Sequence, residues 1–172
     1  MNGHIQVGQQ SGVQIIRLLG EVRLTLCPAF ERYITDVLEH ADCENVLIDL
    51  SDIDMIDSSA LGQLARIAMV SQRRWHIKPT IYTPDPSTTR LLESMGFDEV
   101  FYLLQETCQN SARFSEWVAD SMSEEEARQQ VISAHKVLMS LNESNYQTFC
   151  NLVESLESCQ PETSADTNER YQ

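Results

Sequence analysis

The chain has 172 residues and a formal charge of −14 at pH 7, from 26 acidic and 12 basic side chains. That length suits one domain with an appendage, and the deficit of basic residues excludes the phosphate-gripping patch of a nucleic-acid-binding protein. Five cysteines, an odd number with no Cys-x-x-Cys spacing, point to reduced thiols in the cytoplasm rather than to a disulfide framework or a zinc site. No secretory leader is expected at residues 1–10, and no apolar run approaches the roughly 18 residues that a membrane span needs.

The predicted elements begin with a short edge strand at Ile5–Val7. A longer strand follows at Val13–Val22, rich in β-branched and aliphatic residues, with Gly20 as a bulge or end. Pro28 suits the first turn of a helix that runs to about His40 and aligns Phe30, Ile34, Val37 and Leu38. Val46–Leu50 is nearly continuous apolar sequence, the pattern of a central strand covered on both faces. An acidic loop is expected next, and then a helix from Ser58 to about Arg74. Leu61, Leu64, Ala65 and Ala68 share one face of that helix. Asp57, Ser58 and Ser59 stand at its start, where side-chain oxygens accept hydrogen bonds from unpaired N–H groups.

Pro79 opens a strand over Thr80–Thr83. Two prolines mark the turn at residues 83–87, where Asp85 or Ser87 can cap a short helix. Leu91, Leu92 and Met95 face inward on that helix, Gly96 ends it as a left-handed cap, and Val100–Leu104 is the last strand. The order β-β-α-β-α-β-α-β implies an α/β fold, with a mixed sheet and crossover helices.

Beyond residue 105 the pattern is helical only. Phe114, Trp117 and Val118 suit a short amphipathic turn or two. Ser123 with Glu124, Glu125 and Glu126 is a strong helix start. Val131, Leu138 and Leu141 form one apolar stripe, and Phe149, Leu152, Val153 and Leu156 form another. The break at residues 141–145 favours a helical hairpin over one long helix. Residues 160–172 are polar with no apolar period, the composition of a disordered tail. This extension is the more acidic part: residues 106–172 carry 12 acidic and 4 basic side chains, against 14 and 8 in residues 1–105. Its apolar stripes need a cover, which predicts a second protein partner or a homodimer through residues 106–159.

The chemistry expected of these residues is modest. Asp49, Asp52, Asp54 and Asp57 fail the calcium-loop spacing, because Met55 and Ile56 interrupt it and the sharp turn has no glycine. A phospho-aspartate site needs paired acids at the end of the first long strand, and residues 17–20 offer none. No cofactor or metal is expected. His4, His40, His76 and His135 lie apart in sequence, with no pairing to a cysteine or serine. A serine hydrolase built on Ser58 therefore has no support beyond the serine itself.

The run from Ile48 to Ile67, IDLSDIDMIDSSALGQLARI, resembles the signature of the STAS family. This is the domain of anti-sigma factor antagonists and of sulfate-transporter tails. The family pattern ends a strand in D-x-S, matched by Asp49-Leu50-Ser51. It then places an apolar pair before D-S-S-G-x-G, matched by Met55, Ile56, Asp57, Ser58, Ser59, Ala60, Leu61 and Gly62. The first glycine of the pattern is Ala60 here. The resemblance covers roughly residues 5–105 and not the remainder, so that residues 1–105 are expected as a STAS domain and 106–159 as a helical extension. It implies a STAS-like mixed sheet packed with helices, with the loop before Ser58 exposed at one end.

In function, the resemblance implies a phosphorylatable adaptor that is not itself an enzyme. An anti-sigma factor with serine kinase activity would bind the unphosphorylated protein and release it after phosphorylating Ser58. A serine phosphatase would reverse the step. The family position selects Ser58 over Ser59, and residues Asp54 to Gly62 would form the docking surface. A phosphate there would carry about −1.5 to −2 charges. It would meet helix N–H groups, but also Asp54 and Asp57, so its main effect would be on the surface shown to a partner. The family also offers an alternative, a fixed subunit of a larger assembly such as a lipid-transport ATPase or a sensory complex.

Overall fold

A computed structural model describes residues 1–106 and 111–159. Six strands form one mixed sheet in the order β5-β4-β3-β2-β1-β6. β1 (His4–Gln10) and β2 (Val13–Val22) are an antiparallel pair joined by a tight turn, with Ser11 and Gly12 both at positive φ. β3 (Asn45–Ile56), β4 (Thr80–Tyr82) and β5 (Tyr102–Leu104) then add in parallel, each reached through helical segments.

Those connections are α1 (Cys27–Tyr33), α2 (Ser58–Trp75), and the pair α3 (Pro86–Ser94) and α4 (Phe97–Val100). The expected helix to His40 is only partly α-helical. From Ile34 to Leu38 it widens into a π turn, and Glu39 N–H reaches back to the Ile34 carbonyl. Ile34 and Leu38 are both buried by it.

Side-chain alternation decides which strand face meets the helices. Ile16, Leu18, Val46, Ile48 and Leu50 join one core with Phe30 and Tyr33 of α1, Leu61, Leu64 and Ile67 of α2, and Phe97 and Phe101. Ile15 and Leu47, paired in register, are buried outside that cluster. Arg17 and Asp49 pair in the same register, and their side chains meet at 3.3 Å.

The acidic stretch after Leu50 is strand rather than loop. β3 runs on to Ile56 because β2 shifts register beside it, between Arg17 and Leu19 and again between Gly20 and Glu21, and keeps its backbone paired. Gly20 is the residue that bends, with φ +69°. Ser51, Asp52, Asp54 and Met55 point to solvent, so backbone pairing costs their polar side chains nothing.

The extension also departs from a purely helical expectation. β6 (Ser115–Glu116) adds to the free edge of β1. Trp117 then donates its backbone N–H to Ile5 O and its indole N–H to Ala29 O, each at 2.9 Å. Its ring meets Tyr33 edge-on at 5.5 Å. Sheet pairing and an aromatic anchor replace the amphipathic turn because β1 offers an unpaired edge there.

Next come α5 (Glu124–Leu141) and α6 (Glu143–Ser158), the expected hairpin. Ser123 and Glu126 form a reciprocal capping box, and Asn142 caps α6 through Asn145 N–H at 2.8 Å. α5 lies along α2, and Leu138 is fully buried in the main core. The apolar stripes are thereby largely covered within the chain, though Leu152 is 42% exposed. The tail at 160–172 lies outside the described residues. No described helix is long and apolar enough to cross a membrane.

Candidate functional site

The candidate site is the crossing from β3 into α2. Asp49 begins it. Its carboxylate accepts from Ser51 N–H at 2.9 Å and from Ser51 Oγ at 2.6 Å, and it also holds Arg17. The D-x-S pattern is therefore a local clamp on the strand, and its carboxylate is already engaged. Asp57 completes the crossing as the N-cap of α2. One carboxylate oxygen accepts from Ala60 N–H at 2.8 Å and the other from Leu24 N–H at 2.9 Å. Its own N–H donates to Val22 O. One side chain thus caps the helix and ties it to the turn after β2, which sets Ser58 as the first helical residue.

Burial separates the residues that the sequence groups together. Asp54 and Met55 are exposed, and Asp54 lies 3.5 Å from the terminal amino group. Asp57 and Ser58 are half-buried. Ile56, Ser59, Ala60, Leu61 and Gly62 are buried, with Ser59 at 6% exposure. Ser58 is therefore the more exposed residue of the two serines. Ala60, in place of the family glycine, sits fully buried in the first turn of α2.

The contact that sequence reasoning missed is made by His135. Its Nε2 lies 2.8 Å from Ser58 Oγ, and its Nδ1 lies 2.6 Å from Val131 O. A carbonyl oxygen only accepts, so Nδ1 carries a proton. In the neutral ring Nε2 then accepts from the Ser58 hydroxyl. The ring is 2% exposed and packs edge-on against Phe149 at 4.9 Å.

One signal was available in the sequence. His135 falls on the apolar stripe of α5, four residues after Val131 and three before Leu138, where a polar side chain requires a partner. Which partner, 77 residues away, the spacing does not say.

Beside this pair, α2 and α5 come into backbone contact. A Cβ built on Gly62 would stand 2.6 Å from Ala134 Cα, so only glycine allows the approach. Gln63, fully buried, donates to Gln130 at 3.0 Å, and Gln130 in turn bonds Glu31.

A Ser–His pair with Nδ1 on an acceptor is part of a hydrolase arrangement. Here the acceptor is a backbone carbonyl and not a carboxylate. Two clefts of about 630 and 480 Å³, one between α1 and α5 and one beside the end of α2, are lined by neither Ser58 nor His135.

Comparisons with known proteins agree with this architecture. A curated relative, the anti-sigma F factor antagonist of Paenibacillus polymyxa, is 26% identical over 101 residues, 58% of this chain and 85% of the relative. The crystal structure of an anti-sigma factor antagonist from Mycobacterium paratuberculosis is similar in fold, with a TM-score of 0.50 and 24% identity. The match covers 59% of this chain and 85% of that one. The anti-sigma factor antagonist SpoIIAA in its unphosphorylated form matches over 60% of this chain and 89% of its own, with a TM-score of 0.48 and 16% identity. The family model for the STAS domain matches residues 4–114, from β1 to the edge of β6, and the chain belongs to the STAS domain family.

Proposed function

We propose that the protein is an anti-sigma factor antagonist, an adaptor that binds an anti-sigma factor through the β3–α2 crossing and is switched by phosphorylation of Ser58. One observation carries the reading. In a STAS domain whose curated relative is an anti-sigma F factor antagonist, Ser58 stands at the first position of α2, behind the exposed pair Asp54 and Met55. A phosphate on Ser58 would add about two negative charges beside Asp54 and Asp57, which changes the docking surface more than the fold. The anti-sigma factor would supply the serine kinase activity, and a serine phosphatase would restore the unmodified form. The protein is then a substrate and not a catalyst, and it acts in the cytoplasm, where the sigma factor is.

The test uses the kinase-type anti-sigma factor of the same organism with ATP. Wild type should be phosphorylated, and peptide mapping should place the phosphate on Ser58. Ser58→Ala should bind without release, and Ser58→Asp should bind at least about tenfold more weakly, a difference of about 1.4 kcal/mol. Equal binding by both variants and by wild type removes Ser58 as the switch, and phosphate found only on Ser59 moves the site by one residue.

A second reading, a serine hydrolase, has the Ser58–His135 contact in its favour. A fluorophosphonate probe decides it: labelling of Ser58, abolished in His135→Ala, would replace the adaptor reading.

A further inference from the structure

We propose that the α5–α6 hairpin is an intramolecular lid over the Ser58 face, which a partner or kinase reaches only after the hairpin has swung off α2. The inference rests on the adaptor reading and adds a level of control to it. The lid covers the α2 part of the segment that would have to be bound, while Asp54 and Met55 stay exposed. His135 holds the Ser58 hydroxyl, Ala134 sits on Gly62, and Gln130 holds Gln63. All three contacts fall within the first six residues of α2. For phosphoryl transfer, a bond from Ser58 Oγ to the γ-phosphorus of ATP forms as the bond to the ADP oxygen breaks. The hydroxyl proton passes to a base of the kinase. The entering phosphoryl group needs space beside Oγ that the His135 ring now occupies at 2.8 Å.

The hairpin is built to move as one body. Its two helices pack on each other through His135 and Phe149, with Val153 buried between them, and Arg128 donates to Leu156 O across them. Its hold on the rest of the chain is part apolar, with Leu138 in the main core and Val137, Leu141 and Phe149 packed against it, and part polar. Besides the Ser58 and Gln63 contacts, Asn145 donates to Met95 O at 2.9 Å. Such bonds exchange for water at small net cost.

Leu138 is the main apolar anchor. The chain entering the lid is pinned by Trp117, and residues 119–122 then run without regular structure before Ser123 starts α5. That places a pivot between a fixed anchor and a rigid hairpin.

The full chain alone tests the opening. In native-state hydrogen exchange under rising denaturant, α5 and α6 should exchange through an opening at lower denaturant than β2 and β3 require. Ala134→Glu, which forces charge against Gly62, should speed exchange of α5 and of the first turns of α2 at least tenfold while β2 and β3 keep their protection. Gly62→Ala applies the same pressure from the other side, should Ala134→Glu not fold. With the kinase-type anti-sigma factor and ATP, Ala134→Glu should be phosphorylated on Ser58 at least tenfold faster than wild type.

Loss of hairpin and sheet protection together, or equal phosphorylation rates in wild type and an opened variant, overturns the lid. Independent opening with no phosphate on Ser58 in any variant keeps the lid and removes the phosphorylation reading.

Discussion

At the scale of single residues, Asp57 carries the most. It caps α2 through Ala60 and fixes the turn after β2 through Leu24, so two N–H groups depend on one carboxylate. An N-cap replaced by alanine costs about 0.5–2 kcal/mol, and a second bond to a charged acceptor adds to that. Asp57→Ala should therefore lower stability by about 2 kcal/mol, read as a shift of the urea midpoint with an unchanged slope. Asp57→Asn, which keeps one acceptor oxygen, should lose less than half of this. A midpoint unmoved by Asp57→Ala would mean that water replaces both bonds. Ser58 depends on the same residue, since its position follows from where the helix begins.

At the scale of elements, the start of α5 is the most charge-dependent part of the hairpin. Arg128 and Gln129 donate to the Glu125 carboxylate and hold its pKa down at about 2, while Ser123 N–H lowers that of Glu126. Carboxylates depressed in the folded state add stability above their ordinary pKa, near 4.5, and that contribution goes as pH falls through the folded value. Between pH 4.5 and about 2 the first turn of α5 should fray, seen as faster amide exchange across Glu124–Gln129 ahead of the sheet. Glu126→Gln, which keeps the reciprocal cap without a titrating group, should make that loss shallower. Exchange in the first turn that stays constant down to pH 2 would show that the capping box contributes nothing measurable. Leu138, lower on the same helix, is insensitive to pH, because its contribution is apolar burial.

At the scale of the whole molecule, the proposed lid requires that the sheet with α1–α4 stand without the hairpin, although Leu138 of α5 reaches their common core. The sheet is closed at its β1 edge by β6 and by Trp117, and the hairpin lies over α2. A chain ending after Val118 should therefore melt cooperatively. One ending at residue 105 also loses β6 and the half-buried Trp117, with its two hydrogen bonds and its contact with Tyr33. A loss of about 2 kcal/mol, below the roughly 3–5 kcal/mol of a fully buried tryptophan, corresponds at about 4 °C per kcal/mol to a midpoint about 8 °C lower. If the chain ending after Val118 is insoluble or melts without cooperativity, the hairpin belongs to the core and is no lid.

What the sequence by itself determined is local. The start of α2 at Asp57, the capping box of Ser123, the cap at Asn142 and the left-handed Gly96 each follow from one residue's bonds to its immediate backbone. The strands Val13–Val22 and Val46–Leu50 were legible because their apolar runs have no other use. Tertiary structure decided the rest. β3 continues past Leu50 because β2 bulges to accompany it, and β6 exists because β1 has a free edge. The Ser58–His135 bond and the Gly62–Ala134 approach join residues more than seventy positions apart. Such contacts are fixed by how helices dock and not by any period along the chain, so the helix carrying Ser58 could be read from sequence while the residue that covers it could not.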